Sequence, residues 1–352
     1  MKFITFDKTT KVKFLIIRLS SMGDIVLTTK LIRNIKLNYP NSEIYFVCNH
    51  EYIDILKYNI YIDKLGSYTK NSSENITKLK DDIEAFAPDL AIDLQSNTRS
   101  KHLLSNIHHI VSYDKRRLYK LMLVYTKHIN QQLNIPIPEI YSKAIKLVLP
   151  DFEEDDKGLE FWIESDKLKE QYTPFYKNYS EIKQLRIAVA PGAHFKTKQW
   201  LPEYFIELIN LLKLKYDCNI IILGGKSEYD LCTYISNKTN SPSYAGQTSI
   251  YESAKLIDEC NLMICNDTGL MHIAAARQIP VAVFFGSSVQ ELGFTPYKVA
   301  NIILEQKLWC RPCSHIGRKK CPLLHFNCMK KTTPKFAFDK IIRLINNLYK
   351  ID

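Results

Sequence analysis

No stretch of the chain stays apolar for the length that a membrane span requires. The N-terminal MKFITFDKTTKVKF carries Asp7 and several lysines. It lacks the apolar core and small-residue cleavage site of a secretion signal. Both absences predict a protein that stays in the cytoplasm. No G-x-G-x-x-G opens either half, and no glycine-rich loop ends in Lys-Ser or Lys-Thr at P-loop spacing. Dinucleotide oxidoreductases and P-loop NTPases are thereby disfavoured. No short repeat or low-complexity tract occurs, and no long stripe of basic residues interleaved with aromatics, as a nucleic-acid binder needs. Acidic residues are in deficit: 37 Asp and Glu face 48 Lys and Arg, a net charge of +11. That excess favours anionic partners, whether nucleic acid, a membrane face or phosphorylated substrates, although most of the lysines read as solvated surface.

What is present is a soluble globular composition, 46% hydrophobic and 24% charged, in 352 residues. That length exceeds one ordinary core, so two domains are expected. Strand-like runs alternate with helix-like runs: KFLIIRL, a helical stretch from Ile25 to Asn38, EIYFVC, ENITKLKDDIEAFA, LAIDLQ and IHHIVSY. After a break the pattern restarts with RIAVAPG, LPEYFIELINLLKLKY, NIIILGG, LIDECNLMICND, TGLMHIAAARQ and IPVAVFFG. Such alternation predicts parallel sheets covered by helices. The break, acidic DFEEDDKG followed by polar and aromatic YTPFYKNYSEIKQ, predicts a linker starting at about 150. The expected domains are 1–180 and 181–352. Two doubly wound domains would face a central cleft, with ligands at the carboxyl ends of the strands.

The turns after the strands carry the chemistry. RLSSMGDIVLTT follows a buried strand and places Asp24 in the first turn of a helix, where an acid would repel phosphate. In the second half, Pro191-Gly192 makes a tight turn followed by Lys196 and Lys198, either of which could meet a diphosphate. Lys198 stands beside Trp200 and the helix start; Lys196 reads equally well as basic surface. Gly224-Gly225 lets backbone approach a ligand closely, and Glu228 could hold ribose hydroxyls or simply favour its helix start. Thr248 or Ser249 is a helix N-cap, with Glu252 completing a capping box if Ser249 is the cap. Asn266, Asp267, Thr268 and Gly269 form a polar cluster ahead of an Ala-rich helix whose N-terminus suits a diphosphate, with His272 one turn in.

The segments RLSSMGDIVLTT, PGAHFKTKQWLPE, LGGKSE, AGQTS, NDTGLMHIAAA and CRPCSHIGRKKCPLLHFNCM, in that order, resemble the bacterial heptosyltransferases. The chain is identified by them as a member of glycosyltransferase family nine, the ADP-heptose:lipopolysaccharide heptosyltransferases. The resemblance implies a GT-B fold: an acceptor domain, a donor domain, and a final helix returning to the first domain. It implies that Asp24 is the general base of an inverting transfer, facing the reacting sugar rather than the diphosphate. Gly192, Lys198, Glu228, Thr248, Asp267, Thr268, Gly269 and His272 match donor-binding positions. Ser21 helps shape the loop carrying Asp24, and Gln95, Arg99 and Lys101 match an acceptor-side loop. The implied partners are ADP-heptose and an anionic lipooligosaccharide acceptor at the membrane face, with the enzyme cytoplasmic or peripheral on the inner membrane. The resemblance does not decide the sugar transferred.

Cys48, Cys218, Cys232, Cys260 and Cys265 stand in apolar segments and read as small core residues. Cys310, Cys313, Cys321 and Cys328 are spaced C-x2-C-x7-C-x6-C, with His315 and His325 among them. That spacing can form one edge of a tetrahedral zinc site, and the segment has few apolar residues to hold it otherwise. An inert or redox-variable loop ranks above structural zinc, and no cofactor is expected for catalysis. The competing readings are a sugar-nucleotide epimerase or hydrolase of the same architecture, and a zinc-stapled nucleic-acid binder.

Overall fold

The structure is a computed structural model that describes residues 3–168, 172, 181–182 and 184–351. In chain order the elements are β1 (Lys13–Ile17), α1 (Met22–Val26), α2 (Thr29–Asn38), β2 (Glu43–Asn49), β3 (Lys64–Tyr68), α3 (Ser73–Phe86), β4 (Leu90–Asp93), α4 (Thr98–Leu103), β5 (Ile110–Ser112), α5 (Arg117–Thr126), α6 (Ile137–Lys146) and α7 (Glu164–Leu168). They continue with β6 (Glu181–Ile182), β7 (Leu185–Ala190), α8 (Pro202–Lys215), β8 (Cys218–Ile222), α9 (Tyr229–Thr239), α10 (Ile250–Asp258), β9 (Leu262–Asn266), α11 (Gly269–Ala276), β10 (Val281–Phe284), β11 (Asn301–Leu304), α12 (Asn327–Lys330), α13 (Pro334–Leu348) and β12 (Lys350–Ile351).

Two compact units result. The first takes the chain up to Lys115 together with Pro136–Tyr172; the second takes Arg116–Ile135 and the remainder. The first unit holds a parallel sheet of order β3-β2-β1-β4-β5. Its central strand is covered on both faces, so Phe14, Leu15, Ile16 and Ile17 are all buried. That explains a continuous apolar run rather than alternation. The second holds a parallel sheet of order β11-β10-β9-β7-β8. There Trp200 stacks on Phe284 at 4.0 Å between ring centroids, beside Phe205, Leu208 and Leu212 of α8. In each sheet the connection reverses direction beside the first strand, between β1 and β4 and between β7 and β9. Open α/β sheets bind ligands outside such points.

Several expectations need correction. The helix read from Ile25 to Asn38 is two helices, because Thr28 and Thr29 turn their hydroxyls onto the carbonyls of Ile25 and Val26. The acidic stretch after 150 is not a free linker. Asp155 and Glu160 take Arg33, Glu154 takes Lys30, and the side chains of Asn34 and Asn38 bond the backbone of residues 153–155. Its charge is the counter-charge of a buried basic face on α2. The remainder of the expected linker, 172–184, falls largely outside the described residues. Residues 116–135, expected in the first domain, join the second unit because Leu123 and Leu133 pack with Val289 and Leu292. The final helix, α13, packs on α8 and β11 within the second unit.

Candidate functional site

In the first unit, the chain leaving β1 makes a loop closed by Asp24. One carboxylate oxygen, Oδ1, lies 2.7 Å from Arg18 Nη2. The other, Oδ2, accepts from the Ser21 backbone N–H at 3.0 Å and from the Ser21 hydroxyl at 2.8 Å. Ser21 therefore acts within the loop, capping the short α1. Arg18 also donates to the Leu94 carbonyl and to the Tyr113 hydroxyl, and its guanidinium lies over the rings of Tyr113 and Tyr141. Burial disfavours the charged form of Asp24, but the Arg18 charge and the Ser21 hydrogen bonds outweigh it and hold the carboxyl below its ordinary value. The group is an oriented carboxylate at neutral pH, its side chain still 16% exposed.

The end of β4 supports this loop. Gln95 is buried, and its side-chain oxygen accepts from the backbone N–H groups of Leu19 and Ser20. Asp93 in turn accepts from Gln95 N, Ser96 N and the Ser100 hydroxyl. Gln95 thus braces the Asp24 loop from beneath. Arg99 is half-exposed and Lys101 exposed, both on α4. Sequence reasoning passed over Arg18 and Tyr52. An arginine ending an apolar strand was the available signal for the first. Tyr52 had none: burial, with help from Glu51 and Asp24, pushes its phenol up to about 12.

In the second unit two groups form at the ends of β7, β8 and β9. In the first, Glu228 Oε2 accepts from Gly225 N at 2.8 Å. Its other oxygen lies so close to Gly192 that a Cβ there would fall 1.9 Å from it. In the second, Lys198 pairs with Asp267 at 2.7 Å, and Asp267 also accepts from the Ser288 hydroxyl at 2.7 Å. Burial opposes the charge on Asp267, but Lys198, Ser288 and His272 outweigh it, so its carboxyl is held low. Thr268 caps α11 without using its side chain, and Thr268 and Gly269 remain half-buried at the helix start. Asn266 ties the two groups together: its amide bonds Pro191 O at 2.7 Å and its oxygen accepts from Trp200 N at 3.0 Å. The Thr248 hydroxyl is bonded to that of Ser253, in a turn whose Gly246 N donates to Gly224 O, while Ser249 is the cap of α10 with Glu252 in the capping box. Ser288 was missed in the sequence, where it follows β10 in an otherwise bland turn.

Hydrogen bonds tie the cysteine loop to its neighbours. Arg311 donates to the carbonyls of Phe285, Gly286 and Ser288, and Cys313 N donates to Ser287 O. Thr197 N donates to Arg318 O, while the Thr197 hydroxyl receives Arg318 N. The loop thereby braces both the Lys198 turn and the Ser288 turn. All four of its thiols are free, with Cys310 Sγ 3.8 Å from His325 Nε2. Among the described residues no group of three or more His, Cys, Asp or Glu side chains is arranged to hold a metal.

The chain is similar to known proteins. Over 186 residues the chain is 31% identical to lipooligosaccharide heptosyltransferase 2 of Campylobacter jejuni (serotype O:6), a match covering 51% of this chain and 56% of that protein. That match spans about half the length of the curated relative. Among solved structures, the family 9 glycosyl transferase of Veillonella parvula aligns over 98% of this chain and 100% of its own, with TM-score 0.77 and 18% identity. The E. coli heptosyltransferase WaaC with ADP aligns over 95% and 100%, with TM-score 0.68 and 17% identity. At such identities the likeness speaks for the fold, and the two parallel-sheet units are those of a GT-B glycosyltransferase. The family model for glycosyltransferase family 9 (heptosyltransferase) matches residues 76–323, which takes in the Lys198, Glu228 and Asp267 groups, and the chain belongs to that family.

Proposed function

We propose that the protein transfers a heptose from ADP-heptose to an inner-core lipooligosaccharide acceptor with inversion at the anomeric carbon, Asp24 serving as general base. The observation that carries this reading is the state of Asp24: an ionised, partly exposed carboxylate, fixed through both oxygens at the reversal point of the first sheet. Oδ2 already accepts two hydrogen bonds from Ser21, but Oδ1, which meets only Arg18, keeps a lone pair for an acceptor hydroxyl. As the acceptor oxygen attacks the anomeric carbon, its proton passes to Asp24 and the ADP leaves with the bonding pair. A base with a depressed pKa is adequate because the hydroxyl becomes strongly acidic only as the new bond forms.

The second unit supports the donor side. Lys198 and the N–H groups at the start of α11 can carry the charge of the leaving diphosphate. Asp267 holds the Lys198 ammonium, and Glu228 presents an oxygen to the ribose. Arg99 and Lys101 remain candidates for the acidic acceptor. On this reading no divalent metal is needed for transfer. On this reading the acceptor is lipid-linked and membrane-embedded and is met at the cytoplasmic membrane face; no described helix is long and apolar enough to cross a membrane.

The test is to incubate ADP-heptose with a lipooligosaccharide acceptor in the presence of chelator and follow ADP, product and anomeric configuration. Product should form one-for-one with ADP and with inverted configuration. ADP release at the same rate without acceptor would make the protein a hydrolase instead. In calorimetry, Lys198→Ala should weaken ADP binding by roughly tenfold to a hundredfold, the worth of a hydrogen bond to a charged group; unchanged affinity would take Lys198 out of the donor site.

A further inference from the structure

Helix α5 carries its apolar residues on the side facing water. Leu118, Leu121, Met122 and Tyr125 are 76%, 42%, 47% and 79% exposed, with Ile129 just beyond at 46%. The spacing i, i+3, i+4, i+7 puts the helical four on one stripe. The opposite face is firmly docked. Leu123 is buried with Leu133, Val289 and Leu292. Arg116 clamps the helix start to the carbonyls of Gln132, Leu133 and Ile135. Lys127, at the other end, bonds Val124 O and, at 2.7 Å, Pro312 O. A surface helix ordinarily turns its polar face outward. This one is fixed in the reverse sense.

The Lys127–Pro312 bond joins α5 to the cysteine loop, and that loop repeats the pattern. Trp309, Ile316, Leu323 and Leu324 are exposed there, next to exposed Arg318, Lys319 and Lys320. Charge is one-sided in both segments. Residues 115–138 contain no Asp or Glu, and neither do residues 306–338, while Lys and Arg recur in each. Asp114 and Glu291 are the acids nearest in sequence to α5 and its packing partners. Adjoining exposed apolar groups with a basic, acid-poor border fit a surface that is itself apolar inside and anionic at its rim.

We infer that α5 and the cysteine loop together dock the protein on an anionic bilayer, with Leu118, Met122, Tyr125, Trp309 and Leu324 entering the headgroup–acyl boundary and Arg117, Arg318, Lys319 and Lys320 meeting lipid phosphates. A second copy of the chain is a poorer occupant, because a self-complementary contact would bring like charges together. The inference deepens the proposed function by naming the surface that would bring the enzyme to a lipid-linked acceptor. Its test requires no sugar transfer, so it can fail or succeed separately.

The experiment is vesicle co-sedimentation of the whole protein. The probes are vesicles of phosphatidylglycerol mixed with phosphatidylethanolamine, and vesicles of pure phosphatidylcholine. Wild type should sediment with the anionic vesicles, be released by high salt, and bind phosphatidylcholine at least about tenfold more weakly. Leu118→Ser/Tyr125→Ser and Lys319→Glu/Lys320→Glu should each lose about tenfold or more in binding. Both pairs should keep the wild-type melting temperature and ADP affinity, since all four positions are exposed. Turnover on a delipidated acceptor should also be unchanged, while turnover on acceptor embedded in anionic vesicles should fall. Wild type remaining in the supernatant, equal binding to both vesicle types, or variants that bind like wild type would each overturn the assignment. Capture of an acidic protein partner without vesicle binding would do so as well.

Discussion

Asp24 and Arg18 form a pair whose side chains are only 16% and 8% exposed, and this alters what a substitution means. Removing one partner of a largely buried pair leaves the other charge uncompensated, at a cost of about 3–5 kcal/mol. Asp24→Asn should therefore lose stability by roughly that amount as well as turnover by about 10²–10⁴, the worth of positioned acid–base catalysis. The single variant alone cannot separate the two effects. The double variant Arg18→Met/Asp24→Asn can. With no stranded guanidinium, most of the stability measured by urea denaturation should return while transfer stays lost. Turnover that recovered along with stability would show that Asp24 only holds the fold. Arg18→Met alone should move the acidic limb of kcat/KM to higher pH, since the guanidinium is what keeps the carboxyl below its ordinary value. The sequence marked the arginine only as a charge ending an apolar strand; its role is set by Asp24, Tyr113 and Tyr141, which the fold brings to it.

At the scale of elements, the turns after the strands were legible and the contacts between turns were not. Pro191-Gly192, Gly224-Gly225 and Asn266–Gly269 announce themselves as small and polar residues interrupting apolar runs. Nothing in the sequence says that Gly192 lies against Glu228, or that Asn266 reaches Pro191. The same limit explains the acidic stretch after 150, read as a linker because its cations, Lys30 and Arg33, stand far away in sequence on α2. The Gly192 contact yields a prediction about the turn. Its backbone is not among the left-handed positions, so alanine is conformationally acceptable. An added Cβ would nevertheless fall 1.9 Å from Glu228 Oε1 and 2.1 Å from its Cδ, forcing the carboxylate away. Gly192→Ala should weaken ADP binding by about tenfold through loss of a charged hydrogen bond, with global stability changed by no more than about 1 kcal/mol. Calorimetry showing wild-type affinity would remove Glu228 from the ribose site.

For the whole molecule, the alternation of strands and helices was enough to predict two parallel-sheet units, because each period reports its own local burial. The assignment of 116–135 to the second unit was not legible, since it depends on which remote apolar patch receives Leu123 and Leu133. The division has a consequence for acid unfolding. Asp24, Glu154 and Asp155 in the first unit are held below their ordinary values despite burial, by Arg18, by Lys146 with Lys30, and by Arg33 respectively. In the second unit the comparable group is Asp267, held down by Lys198. The exposed Asp7 and Glu252, also lowered by local hydrogen bonds, fall one to each unit and add little. A carboxyl with a depressed folded pKa stabilises fully above its unfolded value and loses that contribution as pH falls through the folded one. The unfolded references are the ordinary 3.8 for Asp and 4.5 for Glu, so the losses begin near those values and continue below them. Glu160 has the opposite sign: burial raises its pKa, so it costs stability as pH rises above 4.5 and softens the acid loss in the first unit. His315 of the second unit, its pKa lowered by burial and by Lys120, loses stability in an earlier window, from 6.5 downward; in the carboxyl range below about pH 5, three depressed groups against one raised group leave the first unit the more acid-labile. Buried Trp162 and Trp200 report on the two units separately. With Trp309→Phe as background, Trp200→Phe leaves Trp162 as the fluorophore and Trp162→Phe leaves Trp200. On acidification the Trp162 signal should change at higher pH than the Trp200 signal, both below about pH 5. Coincident transitions, or Trp200 changing first, would mean that these ion pairs do not govern the acid stability of the first unit.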